Sequence, residues 1–459
     1  MSVAQFMVIL DITVVNIALP SLGRALHFAP DDLQWVVSAY VLVTGGLTLL
    51  GGRAADMLGR RRLFLAGLAL FTAASLASGL APDAGALIAT RAAQGFGAAM
   101  LTPSALAIIT STYAGEQRSK ALSVWGALAA GGSAAGLLAG GAITTYLGWR
   151  WVFLINVPVG LAGAAAALHL VPADGPRTAT RRRGRLDVAG ALLLVGGTGV
   201  GIYAITTAPQ DSWGSAHTIG LLVLAGALLA AFAVAERRAA DPLVPPRTLR
   251  SRSLSTGTLV MLTGTALLVG VLFLTSLYLQ TVLRASPIRA GLEFLPLMLA
   301  TGAGAHLASD LLRRTGSRSL AVAGLAAMGA GLLLMSWQGG YATGLLPAFL
   351  LIGSGAGLTF PAASVTAMHG VRSESAGLAS GLVTTGHESG AALGVAVFSA
   401  IAAATTGFTL SRAGAIASSA GAYQHVFRVG AAIAAGLAIL VALTVPAVRP
   451  AAGTRVAVH

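Results

Sequence analysis

Apolar residues do not alternate with polar ones along this chain. They run on in long stretches broken by short polar turns. A hydrocarbon core about 30 Å thick is crossed by roughly 20 apolar residues in a helix. Fourteen stretches approach or reach that length, at about 3–22, 33–52, 63–81, 86–110, 120–143, 151–172, 188–207, 216–236, 254–282, 289–308, 319–338, 343–366, 376–403 and 425–448. Each is expected to be a helix, because lipid offers no partner for an open backbone amide. The first begins with no basic residue before it and no small-residue cleavage site after it, so it reads as a retained helix rather than a signal peptide.

The turns carry a topological message. With the N-terminus placed in the cytoplasm, alternate loops sort 22 basic residues to the inner side and six to the outer side, and Arg91 lies inside a helix. Such an imbalance is how orientation is written in membrane proteins. It predicts an even number of crossings, with both termini in the cytoplasm of a multi-pass cell-membrane protein. The longest polar connectors, near 173–187 and 237–253, are too short to hold a soluble domain.

A weak repeat divides the chain. Gly52-Arg-Ala-Ala-Asp56-Met-Leu-Gly59-Arg60-Arg61-Arg62 follows the second stretch, and Ala308-Ser-Asp310-Leu-Leu-Arg313-Arg314-Thr-Gly316-Ser-Arg318 follows the tenth. If these turns correspond, 1–172 and 254–459 are two six-helix halves and 173–253 is a two-helix insert with its connectors. Duplicated halves suit transporters that alternate about a central site.

Composition agrees with the pattern. Of 459 residues, 56% are hydrophobic and only 10% charged, against about 25% charged in soluble domains. Mean hydropathy is +0.81. The net charge of +14 would suggest nucleic acid in a soluble protein, but here the cations sit in the turns, so no nucleic-acid partner is expected. The absence of cysteine excludes disulfides, thiol catalysis and Cys-ligated metal. The only Lys, Lys120, lies in no phosphate-cradling glycine loop, and no Ser/His/Asp or HExxH set is present, so neither an ATP-driven pump nor an enzyme is expected. No cofactor and no metal site are expected either.

Several segments, in order, resemble a known family. The turn at 52–62 resembles the loop signature of the major facilitator superfamily. Asp11-Ile-Thr13-Val-Val-Asn16-Ile-Ala-Leu-Pro20 resembles the first-helix motif of its fourteen-helix drug:proton antiporters of the EmrB/QacA type. Leu87-Ile-Ala-Thr-Arg91-Ala-Ala-Gln94-Gly95 is similar to the fourth-helix Arg motif, and Gly132-Ser-Ala-Ala-Gly136-Leu137-Leu-Ala-Gly140-Gly141 to the fifth-helix antiporter motif. Trp149-Arg150-Trp151 through Asn156-Val-Pro158-Val-Gly160 looks like the start of that group's sixth helix. Tyr278-Leu-Gln280, Ser286-Pro287, Ala290-Gly291-Leu292, Pro296 and Ala376-Gly377-Leu378-Ala379-Ser380-Gly381 follow. One position departs: Leu137 stands where the fifth-helix motif has Pro, so the bend a Pro imposes is not expected, while Gly132, Gly136 and Gly140 still permit close helix contact.

The resemblance implies an all-α integral membrane protein with a major-facilitator-like fold, fourteen transmembrane helices, and export of small amphipathic molecules, drugs or metabolites, driven by the proton gradient. Its partners are then a small-molecule substrate, protons and the bilayer. An uptake symporter or facilitator would use the same fold, and a non-transporting sensor is a remote alternative.

Charge at mid-bilayer costs at least ~2.5–3.5 kcal/mol, so the few charged residues there are the site candidates. Asp11, in an otherwise apolar helix, suits a carboxylate that exchanges protons. Arg91 cannot lose its charge, and the resemblance assigns it the orienting of a proton-bearing group. Glu388, with His387 beside it, lies near the middle of the thirteenth stretch. A stripe of Gly386, Gly390 and Gly394 on the opposite face is expected to pack on a neighbour and turn Glu388 inward. Thr384 and Thr385 are placed to hydrogen-bond Glu388, and the adjacent His387 is expected to serve a different partner. Asp11, Arg91 and Glu388 are the proton-coupling candidates. Asn16, Gln94, His387 and Gln280 are expected on a cavity between the halves. Gly52, Asp56, Gly59, Arg60, Arg61, Gly132, Gly136, Gly140 and Gly141 are expected to serve the conformational change. Glu293 is expected to form an i,i+4 pair with Arg289, and His306 with Asp310 carries no metal expectation.

Overall fold

The computed structural model describes residues 1–28, 32–113, 115–174, 186–239, 242–244, 251–337, 340–371, 376–406, 420–446 and 448. Much of the two polar connectors, including Arg177, Arg181, Arg182, Arg183, Arg185, Arg247 and Arg250, lies outside the described residues. So do Arg372, Arg412, Arg449 and Arg455, on which the charge sorting also leans.

Every long element is a helix: α1 (Ser2–Ala25), α2 (Trp35–Leu58), α3 (Arg60–Gly79), α4 (Ala84–Thr112), α5 (Gly115–Tyr146), α6 (Arg150–Leu170, interrupted at Ile155), α7 (Val188–Asp211), α8 (Ala216–Arg238), α9 (Arg252–Leu277), α10 (Pro287–Thr315), α11 (Ser317–Met335), α12 (Leu346–Met368), α13 (Ala376–Thr406) and α14 (Ala420–Thr444). A π-helical turn, Tyr278–Val282, extends α9, and another, Tyr341–Leu345, leads into α12. Among the described residues, 12 of these helices are long and apolar enough to cross a membrane. The other two, α5 and α10, occupy the fifth and tenth predicted stretches, with 32 and 29 residues. The chain is a multi-pass membrane protein.

Helix ends follow local chemistry. Asp83, Asp187, Ser215, Ser251 and Ser286 each accept a backbone N–H at the start of the helix they precede, satisfying a donor that has no intrahelical partner. Between α2 and α3 the chain reverses at Gly59, whose φ of +111° lies in the region that favours glycine.

Helices α1 to α6 pack together chiefly through α1 with α5, α2 with α4 and α3 with α4. Helices α9 to α14 do so through α10 and α11 with α12, α9 with α13, and α11 with α14. The two groups meet where α2 lies on α13, α5 on α10 and α1 on α9. Helices α7 and α8 pair with each other, and α7 leans on α2 and α13. Only 11% of the apolar window of α8 is buried within the protein, against 72% for α2 and α9. Helices α7 and α8 therefore clad the bundle, and the candidate site lies on the core helices.

Glycine permits the closest approaches. Gly132, Gly136 and Gly140 set α5 against α1, facing Ile9, Thr13 and Val14 in turn. Gly141 meets Pro287 and Ile288 of α10, and Gly291 meets the backbone of Leu137. Leu137 is buried, so the residue that replaces the motif's Pro sits in the α5–α10 crossing. Gly386, Gly390 and Gly394 pack on Thr258, Leu262 and Ala266 of α9, as the small-residue stripe implied.

Candidate functional site

The sequence presents Asp11 as a lone carboxylate, but the structure surrounds it with partners. Arg91 Nη1 on α4 donates to Asp11 Oδ2 at 2.5 Å, with both side chains essentially inaccessible. Gln94 Nε2 and Asn156 Nδ2 donate to Oδ1 at 2.8 and 2.9 Å. Arg91 Nη1 also donates to Gln94 Oε1 at 2.8 Å, and its Nε to the Val36 carbonyl at 2.9 Å. Its guanidinium lies 4.3 Å from the centre of the Tyr40 ring and 5.8 Å from that of Phe153, so an aromatic face takes up part of the field of a cation removed from water. Ser75 on α3 closes the set, accepting from Asn156 Nδ2 at 3.0 Å and Gln94 Nε2 at 3.3 Å while donating to the Phe153 carbonyl at 2.9 Å. The buried ion pair is thus hydrogen-bonded on both members, as an isolated charge in this setting could not be.

Local sequence builds this cluster. Arg91 and Gln94 are three apart on α4 and share a face. Gly95 brings the α4 backbone against the Tyr40 carbonyl of α2, and Thr44 Oγ1 bridges the Tyr40 and Gly95 carbonyls at 2.8 and 3.2 Å. That close crossing lets Arg91 reach the α2 backbone. In α6, Pro158 has no N–H for the Leu154 carbonyl, the helix breaks at Ile155, and Asn156 opens the next segment with its side chain in the cluster. Gln94 is fully buried here, so in this state it belongs to the ion-pair network rather than to an open wall. Sequence reading named Asp11 and Arg91 as coupling candidates without pairing them, and gave no part to Ser75, Tyr40 or Asn156. Asn156 was visible in a motif, whereas Ser75 carried no signal.

Asn16 and Gln280 lie at the seam of α1 and α9. Pro20 leaves the Asn16 carbonyl without its helical N–H, and Ser276 Oγ donates to it at 2.8 Å. Gln280, on the π-helical turn, donates to the Ile17 carbonyl at 2.9 Å. Asn16 Oδ1 and Gln280 Oε1 are buried acceptors with no donor among the described residues.

Glu388 lies against α2. A methyl group on Gly45 would sit 2.6 Å from Glu388 Cβ, and Thr385 Oγ1 donates to the Gly45 carbonyl at 3.1 Å. The Glu388 side chain is 14% exposed and that of His387 45%. Two expectations are corrected. Thr384 bonds the Ser380 carbonyl and Thr385 the Gly45 carbonyl, so neither hydroxyl serves Glu388. His387 Nδ1 lies 3.6 Å from Glu388 Oε1, so the adjacent pair does interact, with the His387 ring also against Phe360 at 6.0 Å.

At the turn, Asp56 at the end of α2 pairs with Arg60 at the start of α3 at 3.2 Å. Gly52 lies near Pro103. Arg61 Nη2 donates to the Leu168 carbonyl, and the backbone N–H groups of Arg61 and Arg62 donate to Asp174 at 3.2 and 3.1 Å. Asp174, beyond α6, thereby caps the start of α3. Sequence reading missed it because the cap lies 113 residues from Arg61. Glu293 pairs with Arg289 at 2.8 Å, and Asp310 pairs with Arg313. Among the described residues no cluster of three or more His, Asp or Glu could hold a metal.

Comparison with known proteins agrees with this architecture. The family model described as "Major Facilitator Superfamily" matches residues 1–395. The chain is 42% identical over 448 residues to the puromycin resistance protein pur8 of Streptomyces alboniger, covering 96% of this chain and 88% of that one. It is 42% identical over 405 residues to the cephamycin export protein CmcT of Amycolatopsis lactamdurans, covering 86% and 82%. Among solved structures it resembles an auto-inhibited peptide transporter of the POT family, with a TM-score of 0.67 at 16% identity, covering 100% of this chain and 99% of that chain. With a family model that spans α1 to α12 and most of α13, and relatives aligned along nearly all its length, the chain belongs to the major facilitator superfamily of membrane transporters.

Proposed function

We propose that this protein exports a small amphipathic molecule, of the kind its antibiotic-resistance and export relatives are named for, across the cytoplasmic membrane in exchange for protons. The observation that carries the reading is the buried Asp11–Arg91 pair, a carboxylate able to take a proton beside a cation that cannot release one. In this reading all fourteen helices cross the membrane with both termini cytoplasmic. Residues 1–172 and 254–459 are the two moving halves, and 173–253 is the insert. The energy source is the proton gradient, and no cofactor takes part.

Substrate occupies the space between the halves. Asn16 Oδ1 and Gln280 Oε1 offer hydrogen-bond acceptors to it, and His387 with Glu388 offers a polar, anionic wall opposite. Gly52, Gly59, Asp56, Arg60 and Arg61 form the turn that moves with α2 and α3. The glycines of α5 form the surface on which α1 and α10 slide. The test is transport by purified protein in liposomes with an imposed pH gradient, using puromycin as probe. Efflux that concentrates puromycin and collapses with an uncoupler supports exchange. Accumulation in the same direction as the protons supports an uptake symporter, and equilibration indifferent to the gradient supports a facilitator.

A further inference from the structure

A carboxylate oxygen offers about two lone-pair positions. Oδ1 of Asp11 fills both, from Gln94 and Asn156. Oδ2 holds Arg91 Nη1 and keeps one position open. The two carboxamides are held in these orientations by groups whose polarity is fixed. Gln94 Oε1 accepts from Arg91, and a guanidinium only donates, so Gln94 must turn its N–H to Asp11. Ser75 Oγ spends its one proton on the Phe153 carbonyl, which only accepts. Towards Asn156 and Gln94, Ser75 can therefore only accept. Turning Asn156 around would set its carbonyl oxygen against both Ser75 Oγ and Asp11 Oδ1.

We infer that Ser75 and Asn156 are positioning residues that direct the coupling proton onto Oδ2 of Asp11, the oxygen of the ion pair. The inference rests on the reading of Asp11 as the coupling carboxylate. The step is a single proton transfer. A hydronium ion gives up one O–H bond and leaves as water, its proton forms an O–H bond on the open lone pair of Oδ2, the carboxylate becomes neutral, and both N–H bonds to Oδ1 persist. Arg91 loses the charge it faced but keeps Gln94, the Val36 carbonyl and the Tyr40 ring. Protonation thus weakens the ion pair between α1 and α4, while the bonds from Gln94 of α4 and Asn156 of α6 still hold α1. Had Oδ1 been free to take the proton, the acid could load with its hold on Arg91 less disturbed. Among the described residues, the ionisable groups around Asp11 are Arg91 of α4 and Tyr40 of α2, with Glu388 of α13 also in the field of Tyr40. Among the described residues, α3 and α6 present the neutral Ser75 and Asn156, α5 presents Gly132, Gly136 and Gly140, and α9 the neutral Ser276 and Gln280.

Infrared difference spectroscopy on the full chain in liposomes across a pH series tests this, with Asp11→Asn used to assign the carboxyl band. If Oδ2 takes the proton, the C=O of the acid is Oδ1, and its band is lowered by two N–H donors. Ser75→Ala removes one of the two acceptors that hold the Asn156 N–H groups, which loosens the Asn156 bond to Oδ1, so the band should move to higher frequency. Concentrative efflux should fall about tenfold while downhill efflux persists. Asn156→Ala, which removes one donor to Oδ1, should move the band the same way, so the result does not hang on one variant folding. A band unmoved in both variants overturns the inference even though Asp11 titrates. Absence of any Asp11-dependent band in the wild type at every pH where efflux runs overturns the coupling reading, and the inference with it.

Discussion

Arg91 and Asp11 are 80 residues apart in sequence, yet they form a fully buried ion pair joining α4 to α1. Three further helices converge on it: α2 through the Val36 carbonyl and Tyr40, α3 through Ser75, and α6 through Asn156 and Phe153. On its far side α1 meets the glycines of α5, and beyond them α10. The carboxylate thus sits among helices that also contact α9, α10 and α13.

Asp11→Asn is expected to insert but to lose concentrative efflux, because an amide cannot carry the proton. It also leaves the Arg91 cation buried without its counter-charge, a loss of about 3–5 kcal/mol. The Asp11→Asn/Arg91→Gln double variant removes both charges and should melt higher than Asp11→Asn alone while remaining inactive. Thermal unfolding in detergent with a vesicle efflux assay reads both. Full concentrative efflux by Asp11→Asn would remove this pair from the coupling mechanism.

Arg91→Lys keeps the charge but loses the fork. A lysine cannot donate at once to the Val36 carbonyl, Asp11 and Gln94 from a planar group stacked on Tyr40. At about 1.5–3 kcal/mol for a hydrogen bond to a charged group, concentrative efflux should fall tenfold or more, with expression preserved. Activity equal to wild type would show that charge alone suffices.

The fold could be read because a membrane span announces itself through length and apolarity, and because Asp11 and Arg91 stand out as charges inside apolar runs. Partners that are neutral or distant could not be read the same way. Ser75 is one of several serines and threonines on apolar helices. Asp174 looks like an ordinary loop acid until the fold brings it to Arg61 and Arg62. Thr384 and Thr385 misled because i−4 and i−3 spacing gives proximity without saying which acceptor wins. Here the backbone carbonyls of Ser380 and Gly45 take both hydroxyls.

Gly59→Ala should impair the turn between α2 and α3 in two ways. Its φ of +111° strains any residue with a Cβ, at about 1–3 kcal/mol. The added methyl would also strike Asp174, the residue that caps α3. Asp174→Ala removes the cap without straining the backbone, at about 0.5–2 kcal/mol. Gly59→Ala is therefore expected to lower the melting temperature more than Asp174→Ala. The Gly59→Ala/Asp174→Ala double variant should cost less than the sum of the singles, because the clash is gone. Strictly additive losses would show that the two residues act independently.

Glu388→Gln separates a structural contact from a site. Glu388 sits where α13 lies on the Gly45 backbone of α2, with its glycine stripe turned away onto α9. Its carboxylate is mostly buried and near His387 Nδ1. Gln keeps the size and the capacity to hydrogen-bond but not the charge, so a purely structural role would leave transport rates unchanged. If the carboxylate attracts cationic substrate, Gln should lower efflux of a cation about tenfold while a neutral substrate still moves, the effect expected for loss of one charge-assisted contact. If it carries a second proton, both substrates should lose pH dependence together. Efflux of one cationic and one neutral compound across a pH series, normalised to expression, distinguishes these outcomes. Unchanged rates for both at every pH would take Glu388 out of the site and leave coupling to Asp11 and Arg91.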